Sequence, residues 1–243
     1  MVKAVFSDVH GNLEALEAVL RDAREQGATQ FVCLGDVVGY GADPDACCDR
    51  VRELGGVVVR GNHDHACSHR SPLVWFNPLA AAAARWTRNR ISEENRGWLR
   101  SLPYEARSER AQIVHGGLED PRHWPYLFPG EDVSAHFRRQ KETLCFVGHT
   151  HVPVLFAQIG GRVRAARLAP FRMTPDEPVK VTVNVGSVGQ PRNGDPRACY
   201  CLWDPEKGAI APRRVEYDAA AAARKIRDAG LPPLLASRLL VGR

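Results

Sequence analysis

Five apolar segments of this 243-residue chain end directly in side chains that commonly bind metal ions. The segments run from Val5 to His10, Val32 to Asp36, Val58 to Asp64, Ile113 to His115 and Phe146 to His151. Short apolar runs predict buried strands, and in α/β proteins the ligand-binding side chains collect where parallel strands end. The repetition therefore predicts an α/β fold in which five strand ends converge on one site.

The apolar spacing around these segments predicts the order of the elements. The first sixty residues are predicted to form a βαβαβ unit with parallel strands, and these strands lie at Val2 to Phe6, Phe31 to Leu34 and Val57 to Val59. Later strands are predicted at Ala111 to Val114, Leu144 to Val147, Val154 to Ile159, Val163 to Leu168, Val179 to Val185 and Ala198 to Trp203, with a further strand that ends at Val215. Helices are predicted after Gly11, from Pro44, twice within 77–102 (the second from Ser92), around Val133 to Gln140, from Asp218 and after Pro232.

No linker or internal repeat interrupts this pattern, so one compact domain is predicted. It comprises residues 1–217, including a helical segment at 66–104 that is a candidate cover for the site, although the helical spacing of its Trp residues favours packing in the core. Residues 218–243 are predicted to form a C-terminal helical tail that packs on the same domain or on a second subunit.

Charge and composition exclude several functional classes. The chain carries 33 Lys and Arg against 28 Asp and Glu, and the resulting charge of +5 is scattered along the chain. A dedicated nucleic-acid surface is therefore not expected, although an anionic ligand is allowed. With no apolar stretch of about 18 residues and no signal-like start, we expect a cytoplasmic protein without a membrane partner. The seven cysteines lack Cys-x-x-Cys spacing, which is typical of reduced, buried thiols.

The spacing of the ligand-type residues adds to this prediction. Asp8 and His10 are two positions apart, as are His149 and His151, and in an extended backbone such pairs point to one face. Glycines at 35, 61 and 148 precede the ligand-type residues and allow sharp turns and close approach. A single Asp-x-His is common by chance, but five of the nine histidines lie at these strand ends, which indicates one metal site.

These motifs, in this order, resemble the calcineurin-like metallophosphoesterases. The resemblance is carried by Asp8-Val9-His10-Gly11-Asn12, Gly35-Asp36, Gly61-Asn62-His63-Asp64, His115-Gly116 and Gly148-His149-Thr150-His151. It extends through Asn184-Val185-Gly186-Ser187 to about Asp204, in the style of small bacterial and archaeal phosphodiesterases. The resemblance implies a four-layer αββα sandwich, with two mixed β-sheets packed face to face and flanked by helices.

The resemblance also implies a dinuclear metal centre. One metal would be held by Asp8, His10, Asp36 and His151, and the other by Asp36, Asn62, His115 and His149, so that Asp36 bridges them. Mixed imidazole and carboxylate ligands suit two divalent transition metals, with manganese favoured and iron, cobalt, nickel and zinc as alternatives. Such a pair activates a bridging hydroxide for in-line attack on phosphorus. His63 would then protonate the leaving alkoxide, and Asp64 would orient His63 by a hydrogen bond.

One departure from the pattern bears on the substrate. Protein Ser/Thr phosphatases carry Asp-Arg-Gly shortly after the bridging Asp, where this chain has Gly39-Tyr40-Gly41. The phosphate-gripping Arg of those relatives is therefore absent there, which argues against a phosphoprotein substrate. Arg192, in a Gly- and Pro-containing loop, is a candidate replacement in substrate binding, with a solvated loop Arg as the alternative.

The sequence thus predicts a metal-dependent phosphoric ester hydrolase that acts on a small phosphate ester, with a phosphodiester favoured. Within the same chemistry, a phosphomonoesterase or a nucleotide pyrophosphohydrolase stays open. A metal-dependent nuclease would need a groove-sized basic patch, and the scattered charge of +5 does not indicate one. A non-catalytic scaffold, like the retromer subunit that resembles this family, would lack the catalytic histidine, whereas His63 is present.

Overall fold

The computed structural model describes residues 1–69, 72–131, 133–174 and 179–243, so positions 70 and 71 of the predicted helical segment lie outside it. The strands are β1 Val2–Phe6, β2 Ala28–Cys33, β3 Val57–Val58, β4 Glu105–Ser108, β5 Ala111–Val114, β6 Leu144–Val147, β7 Val154–Ile159, β8 Arg162–Arg167, β9 Phe171–Arg172, β10 Val179–Asn184, β11 Ala198–Asp204 and β12 Ala209–Val215. The helices are α1 Leu13–Glu25, α2 Pro44–Glu53, α3 Asn62–Ser68, α4 Pro78–Arg88, α5 Glu93–Ser101, α6 Ser134–Arg139, α7 Ala219–Asp228 and α8 Pro233–Leu239.

These strands form two six-stranded mixed sheets. The first has the order β3-β2-β1-β11-β12-β9, and its strands β1, β2 and β3 are parallel, which confirms the βαβαβ prediction. The second has the order β4-β5-β6-β10-β7-β8, with β5, β6 and β10 parallel. The predicted hairpin is β7 and β8, where Ile159 pairs with Arg162 across the two glycines.

Successive side chains of a strand point to opposite faces of its sheet, so each sheet packs against another layer on both faces. In β1, Val5 packs between the sheets with Phe146 and other apolar side chains, whereas Phe6 faces the opposite way, toward α1 and Leu16. On the far side of the second sheet, Phe137 of α6 packs with the other face of β5, β6 and β7. Two sheets face to face with helices outside form the expected four-layer sandwich, and this prediction is confirmed.

Side-chain caps begin several of the helices. The side-chain oxygen of Asn12 accepts a hydrogen bond from the backbone amide of Ala15. In the same way, the Ser92 hydroxyl accepts from the backbone amide of Asn95, and the Asp218 carboxylate accepts from that of Ala221. Each cap satisfies an amide at a helix start that has no partner within the helix. The predicted starts after Ser92 and Asp218 are therefore confirmed. None of the helices in the described residues is long and apolar enough to cross a bilayer.

The tail and one short helix complete the fold. Helices α7 and α8 pack with α4 in an apolar cluster that includes Leu235, Ala83 and Tyr40. The sequence did not predict α3, which begins at Asn62, because its seven residues Asn-His-Asp-His-Ala-Cys-Ser lack a helical apolar period. Strands β4 and β9 also escaped prediction, since three of the four residues of β4 are polar and β9 has only two residues.

Candidate metal centre

The seven predicted ligands lie at strand ends on one edge of the two sheets. Asp8 and His10 follow β1, Asp36 follows β2, Asn62 begins α3 after β3, His115 follows β5, and His149 and His151 follow β6. Six of the seven are almost fully buried, at 5% exposure or less, and Asn62 is partly buried. The strand ends therefore converge as the sequence predicted.

The backbone at these ligands is left-handed. Asp8, His10, Asp36, His149 and His151 all have φ between 51° and 68°, and only three other non-glycine residues in the described chain have positive φ. The expectation that Asp8 and His10, or His149 and His151, share a face because the backbone is extended was therefore wrong. Their side chains converge through tight left-handed turns, an unfavourable conformation that tends to concentrate at functional sites.

Glycines allow these turns to pack against each other. A methyl group at Gly35, where φ is 95°, would lie 2.8 Å from the carbonyl oxygen of Val59. A methyl at Gly148 would lie 2.6 Å from a carboxylate oxygen of Asp8, and one at Gly61 would overlap the Asp36 side chain. The predicted close approach at all three glycines is confirmed.

The ligand atoms form a continuous chain of short contacts. Asp8 Oδ1 lies 3.2 Å from His151 Nε2 and 3.6 Å from His10 Nε2. Asp36 Oδ2 lies 3.7 Å from His10 Nε2 on one side and 3.3 Å from His115 Nε2 on the other. Asp36 thus lies between the two groups of ligands.

The second group is completed by Asn62 and His149. The side-chain oxygen of Asn62 lies 3.2 Å from His115 Nε2, and the His149 ring lies 4.9 Å from the His115 ring. Ligand atoms of Asp36, His115 and His149 all lie within 4.8 Å of one another, as do those of Asp8, His10 and His151.

Backbone carbonyls fix the orientation of three of the imidazoles. His10 Nδ1 lies 3.0 Å from the carbonyl oxygen of Val38, and His115 Nδ1 lies 2.8 Å from that of Leu34. His151 Nδ1 lies 2.6 Å from the carbonyl oxygen of Gln190. Because a carbonyl can only accept, each Nδ1 donates its proton, so each Nε2 points to the centre of the cluster and can bind a cation there once it carries no proton.

Two contacts show that this donor set fits cations. His10 Nε2 and His151 Nε2 lie 3.1 Å apart, and since both Nδ1 atoms donate elsewhere, two neutral rings would meet here through their lone pairs. Asp8 Oδ1 is buried and has no hydrogen-bond partner among the described residues. A cation would satisfy both arrangements, since imidazole nitrogens and a carboxylate oxygen are ordinary transition-metal ligands.

Comparison with known proteins places the chain in a family. Residues 1–208 match the calcineurin-like phosphoesterase superfamily domain. The chain belongs to this superfamily. It is 39% identical over 246 residues to the uncharacterized protein MJ0912 of Methanocaldococcus jannaschii, covering 99% of this chain and 98% of that protein. It is 28% identical over 215 residues to phosphodiesterase YfcE of Escherichia coli, covering 84% of this chain and 88% of YfcE.

Solved structures agree with the superfamily fold. The metallophosphoesterase from Sphaerobacter thermophilus has a TM-score of 0.87 at 38% identity and covers 100% of this chain and 99% of that one. The hypothetical protein PH1004 from Pyrococcus horikoshii has a TM-score of 0.81 at 20% identity, with 100% and 98% coverage. Calcineurin-like phosphoesterases use divalent metal ions, and the clusters described above are able to hold them.

The electrostatics of the superfamily site favour cation binding. Burial alone would raise the pKa values of Asp8 and Asp36, but the surrounding imidazoles hold both well below the usual range. Burial lowers the pKa of His149 to about 3, aided by the charge of His115, and that of His151 to about 4, aided by Arg192. Although burial opposes it, the charge of Asp36 raises the pKa of His115 to about 9. The two carboxylates therefore stay ionised and supply the negative charge that a cation requires.

His63 lies beside the cluster in a cage of rings. Its ring lies 4.9 Å from His10, 4.4 Å from Tyr40 and 4.9 Å from Phe76, and its Nδ1 is buried without a partner in the described chain. A methyl group at Gly39 would overlap the imidazole, which explains why a residue without a side chain is needed there. The main-chain amide of His63 donates to Asp36 Oδ1 at 2.7 Å.

The predicted role of Asp64 was wrong, because its carboxylate does not reach His63. Asp64 Oδ2 accepts hydrogen bonds from the amides of Asp36 at 2.7 Å and Gly61 at 3.0 Å. Asp64 Oδ1 accepts from Val37 at 2.8 Å and Val38 at 3.2 Å. Asp64 points into the turn after β2 and holds the backbone that carries Asp36, so it is a positioning residue.

Arg192 lies at the rim of the site, with its guanidinium carbon 5.5 Å from the centre of the Tyr40 ring. Two aromatic residues that the sequence did not single out also contact the cluster. Tyr40 lies 4.6 Å from the His10 ring, and Tyr126 stacks on His149 at 3.9 Å while half of its surface stays exposed. Tyr40 lies in the Gly-Tyr-Gly that replaces Asp-Arg-Gly, and this departure is the sequence signal for its proximity to the site.

Proposed function

We propose that the chain is a dinuclear metal-dependent phosphodiesterase. The position of Asp36 between two groups of imidazole and oxygen ligands is the observation that supports this best. In this proposal one cation is held by Asp8, His10, Asp36 and His151, and the other by Asp36, Asn62, His115 and His149. Manganese is favoured among manganese, iron, cobalt, nickel and zinc, all of which accept this mixed ligand set.

Two bound cations would neutralise the phosphate and lower the pKa of water so that it can attack phosphorus at neutral pH. The chain's own contribution to proton transfer comes from His63. Burial holds the pKa of His63 well below its ordinary value, so the imidazole is neutral before the substrate binds. An anionic phosphate placed against the ring favours its charged form, so the ring would take up a proton from solvent as the substrate binds and then pass that proton to the leaving oxygen.

A diester substrate is favoured over a monoester on two grounds. The relative YfcE, at 28% identity, is named a phosphodiesterase. At the position of the Ser/Thr phosphatase Arg, this chain has Tyr40, whose ring packs on His10 and His63. Without a guanidinium at that position, the second negative charge of a monoester has one partner fewer.

The first test measures metal content and substrate preference. Protein purified with manganese should contain two metal ions per chain, and it should hydrolyse bis(p-nitrophenyl) phosphate with a higher kcat/KM than p-nitrophenyl phosphate. A panel with cyclic nucleotides and dinucleotides then separates diesterase from pyrophosphohydrolase activity. Two bound metals without hydrolysis of any ester would favour the scaffold, and a higher kcat/KM for the monoester would refute the diester preference.

The second test separates acid catalysis from metal binding. His63→Ala should keep both metals and slow esters with a poor, alkoxide leaving group by about 10²–10⁴-fold. Nitrophenyl esters should lose much less, because nitrophenolate needs little protonation. His123→Ala is the matched control, since His123 is exposed and, among the described residues, pairs only with Asp120, at 2.7 Å. Equal losses for both leaving groups, with metals retained, would assign His63 to binding the phosphoryl oxygens instead.

A further inference from the structure

The C-terminal tail reaches the rim of the metal centre. Leu235 and Leu239 of α8 are buried in the same apolar cluster as Tyr40. After α8, the carbonyl oxygen of Gly242 accepts a hydrogen bond from the Gly194 amide at 2.8 Å. A methyl group at Gly242, where φ is 66°, would lie 2.5 Å from the backbone of Asp195. The end of the chain is therefore docked tightly on the loop that carries Arg192.

This docking brings two arginines to one neutral acceptor. Arg192 Nη2 donates to Gln190 Oε1 at 2.8 Å, and Arg238 Nη1 of α8 donates to the same oxygen at 3.4 Å. Both side chains are partly buried, and neither makes an ion pair within the described residues. Burial and the charge of Arg192 lower the pKa of Arg238, and the Nε of Arg238 is buried with no hydrogen-bond partner in the part of the chain that the structure describes.

Two like charges around a shared amide oxygen are an unfavourable arrangement for the protein alone. Gln190 Oε1 carries no formal charge, so it does not compensate either guanidinium, and the repulsion between them is only partly screened where water is excluded. Guanidinium groups bind phosphates and carboxylates through planar, charge-assisted hydrogen bonds. An anion between Arg192 and Arg238 would remove the repulsion and use their free donors.

The pair lies one aromatic ring away from the proposed reaction centre. The Arg192 guanidinium packs 5.5 Å from the centre of the Tyr40 ring, which itself lies 4.6 Å from His10 and 4.4 Å from His63. The backbone of Gln190 also accepts the hydrogen bond that orients His151. An anion at this pair would thus lie beyond the phosphate that reacts.

We propose that Arg192 and Arg238 form a binding site for a second anionic group of the substrate, separate from the phosphoryl group hydrolysed at the metal centre. This inference rests on the proposed phosphoesterase function and narrows its substrate class. The preferred ester carries a further phosphate or carboxylate on its organic part. The tail then has a role in substrate binding as well as in packing.

The experiment compares two nucleotides that differ by one phosphate. Adenosine 5′-monophosphate and adenosine 3′,5′-bisphosphate are titrated calorimetrically into the manganese-loaded protein, so no turnover is needed. The wild-type protein should bind the bisphosphate about tenfold tighter or more, since a hydrogen bond between charged partners contributes on that order. Arg238→Met and Arg192→Met should each reduce this preference to about twofold or less. A wild-type protein that binds both nucleotides equally refutes the second site.

Three comparisons separate the site from a general effect of charge or stability. Arg227→Met removes the same charge from an exposed position of α7 and should keep the wild-type preference. Arg238→Lys keeps a charge without the planar fork, and it should keep part of the preference even if Arg238→Met fails to fold. The assignment is wrong if Arg227→Met reduces the preference for the bisphosphate. It is also wrong if neither Arg192→Met nor Arg238→Met reduces that preference. Loss of hydrolysis alone, with the bisphosphate preference intact, would contradict the phosphodiesterase proposal and leave this site standing.

Discussion

Replacing Asp64 with Asn is expected to destabilise the turn that carries Asp36. The Asp64 carboxylate accepts four backbone amides, two at each oxygen, and it is fully buried. An Asn side chain has one accepting oxygen, so its amide NH₂ would face two backbone donors. A buried donor left without a partner costs about 1–3 kcal/mol, and two of them should cost about 2–6 kcal/mol. That loss is a large part of the roughly 5–15 kcal/mol by which domains are stable.

Urea unfolding followed by circular dichroism measures this loss. The comparison is made in EDTA, so that a difference in metal binding does not contribute to the free energy of unfolding. Asp120→Asn is the matched control, because Asp120 is an exposed carboxylate and should shift stability by less than about 0.5 kcal/mol. Metal analysis of the folded Asp64→Asn protein should also show weakened binding, since the turn positions Asp36.

A different result would restore the catalytic role of Asp64. If Asp64→Asn unfolds within about 1 kcal/mol of the wild type and binds both metals, the four amide contacts do not support the turn. A selective loss for esters with poor leaving groups in that variant, as expected for His63→Ala, would then assign Asp64 to orienting His63.

Four further predictions concern the metals, the tail and pH. Asp36→Asn should reduce metal occupancy at both positions, and retention of one metal with near wild-type activity would contradict bridging. Asn62→Ala should weaken mainly one metal in a titration. Removal of 231–243 should lower stability or change the oligomeric state while the folded fraction keeps its metals. Burial alone would raise the pKa of Asp22, but hydrogen bonds from Arg213 and from the buried Tyr200 hold that pKa below its ordinary value. Its stabilisation is therefore present above pH about 3.9 and lost as pH falls through the lower folded-state value. Asp22→Asn should lower the urea midpoint at pH 7, with a smaller difference near pH 3.

Local patterns in the sequence were sufficient to predict much of the fold and the convergence of the ligand-type residues. Apolar runs that end in Asp8, Asp36 or His149 show both where a strand lies and where it stops. Because the carboxyl ends of parallel strands share one edge, the convergence of these residues follows from strand direction alone. The helix starts at Ser92 and Asp218 were equally local, since a cap bonds an amide three residues away.

The remaining features of the site depend on contacts between distant parts of the chain, which local sequence patterns do not record. The left-handed turns at Asp8 and His10 are held by hydrogen bonds to the strand-end loop that carries Asp36, which no local period records. Asp64 follows His63 in sequence, yet its carboxylate reaches the backbone at Asp36, so adjacency suggested the wrong partner. Arg238 meets the Arg192 loop only because α8 packs on the domain. Periodicity and motifs report neighbours along the chain, whereas the partners of a buried polar group are set by which surfaces the packed layers bring together.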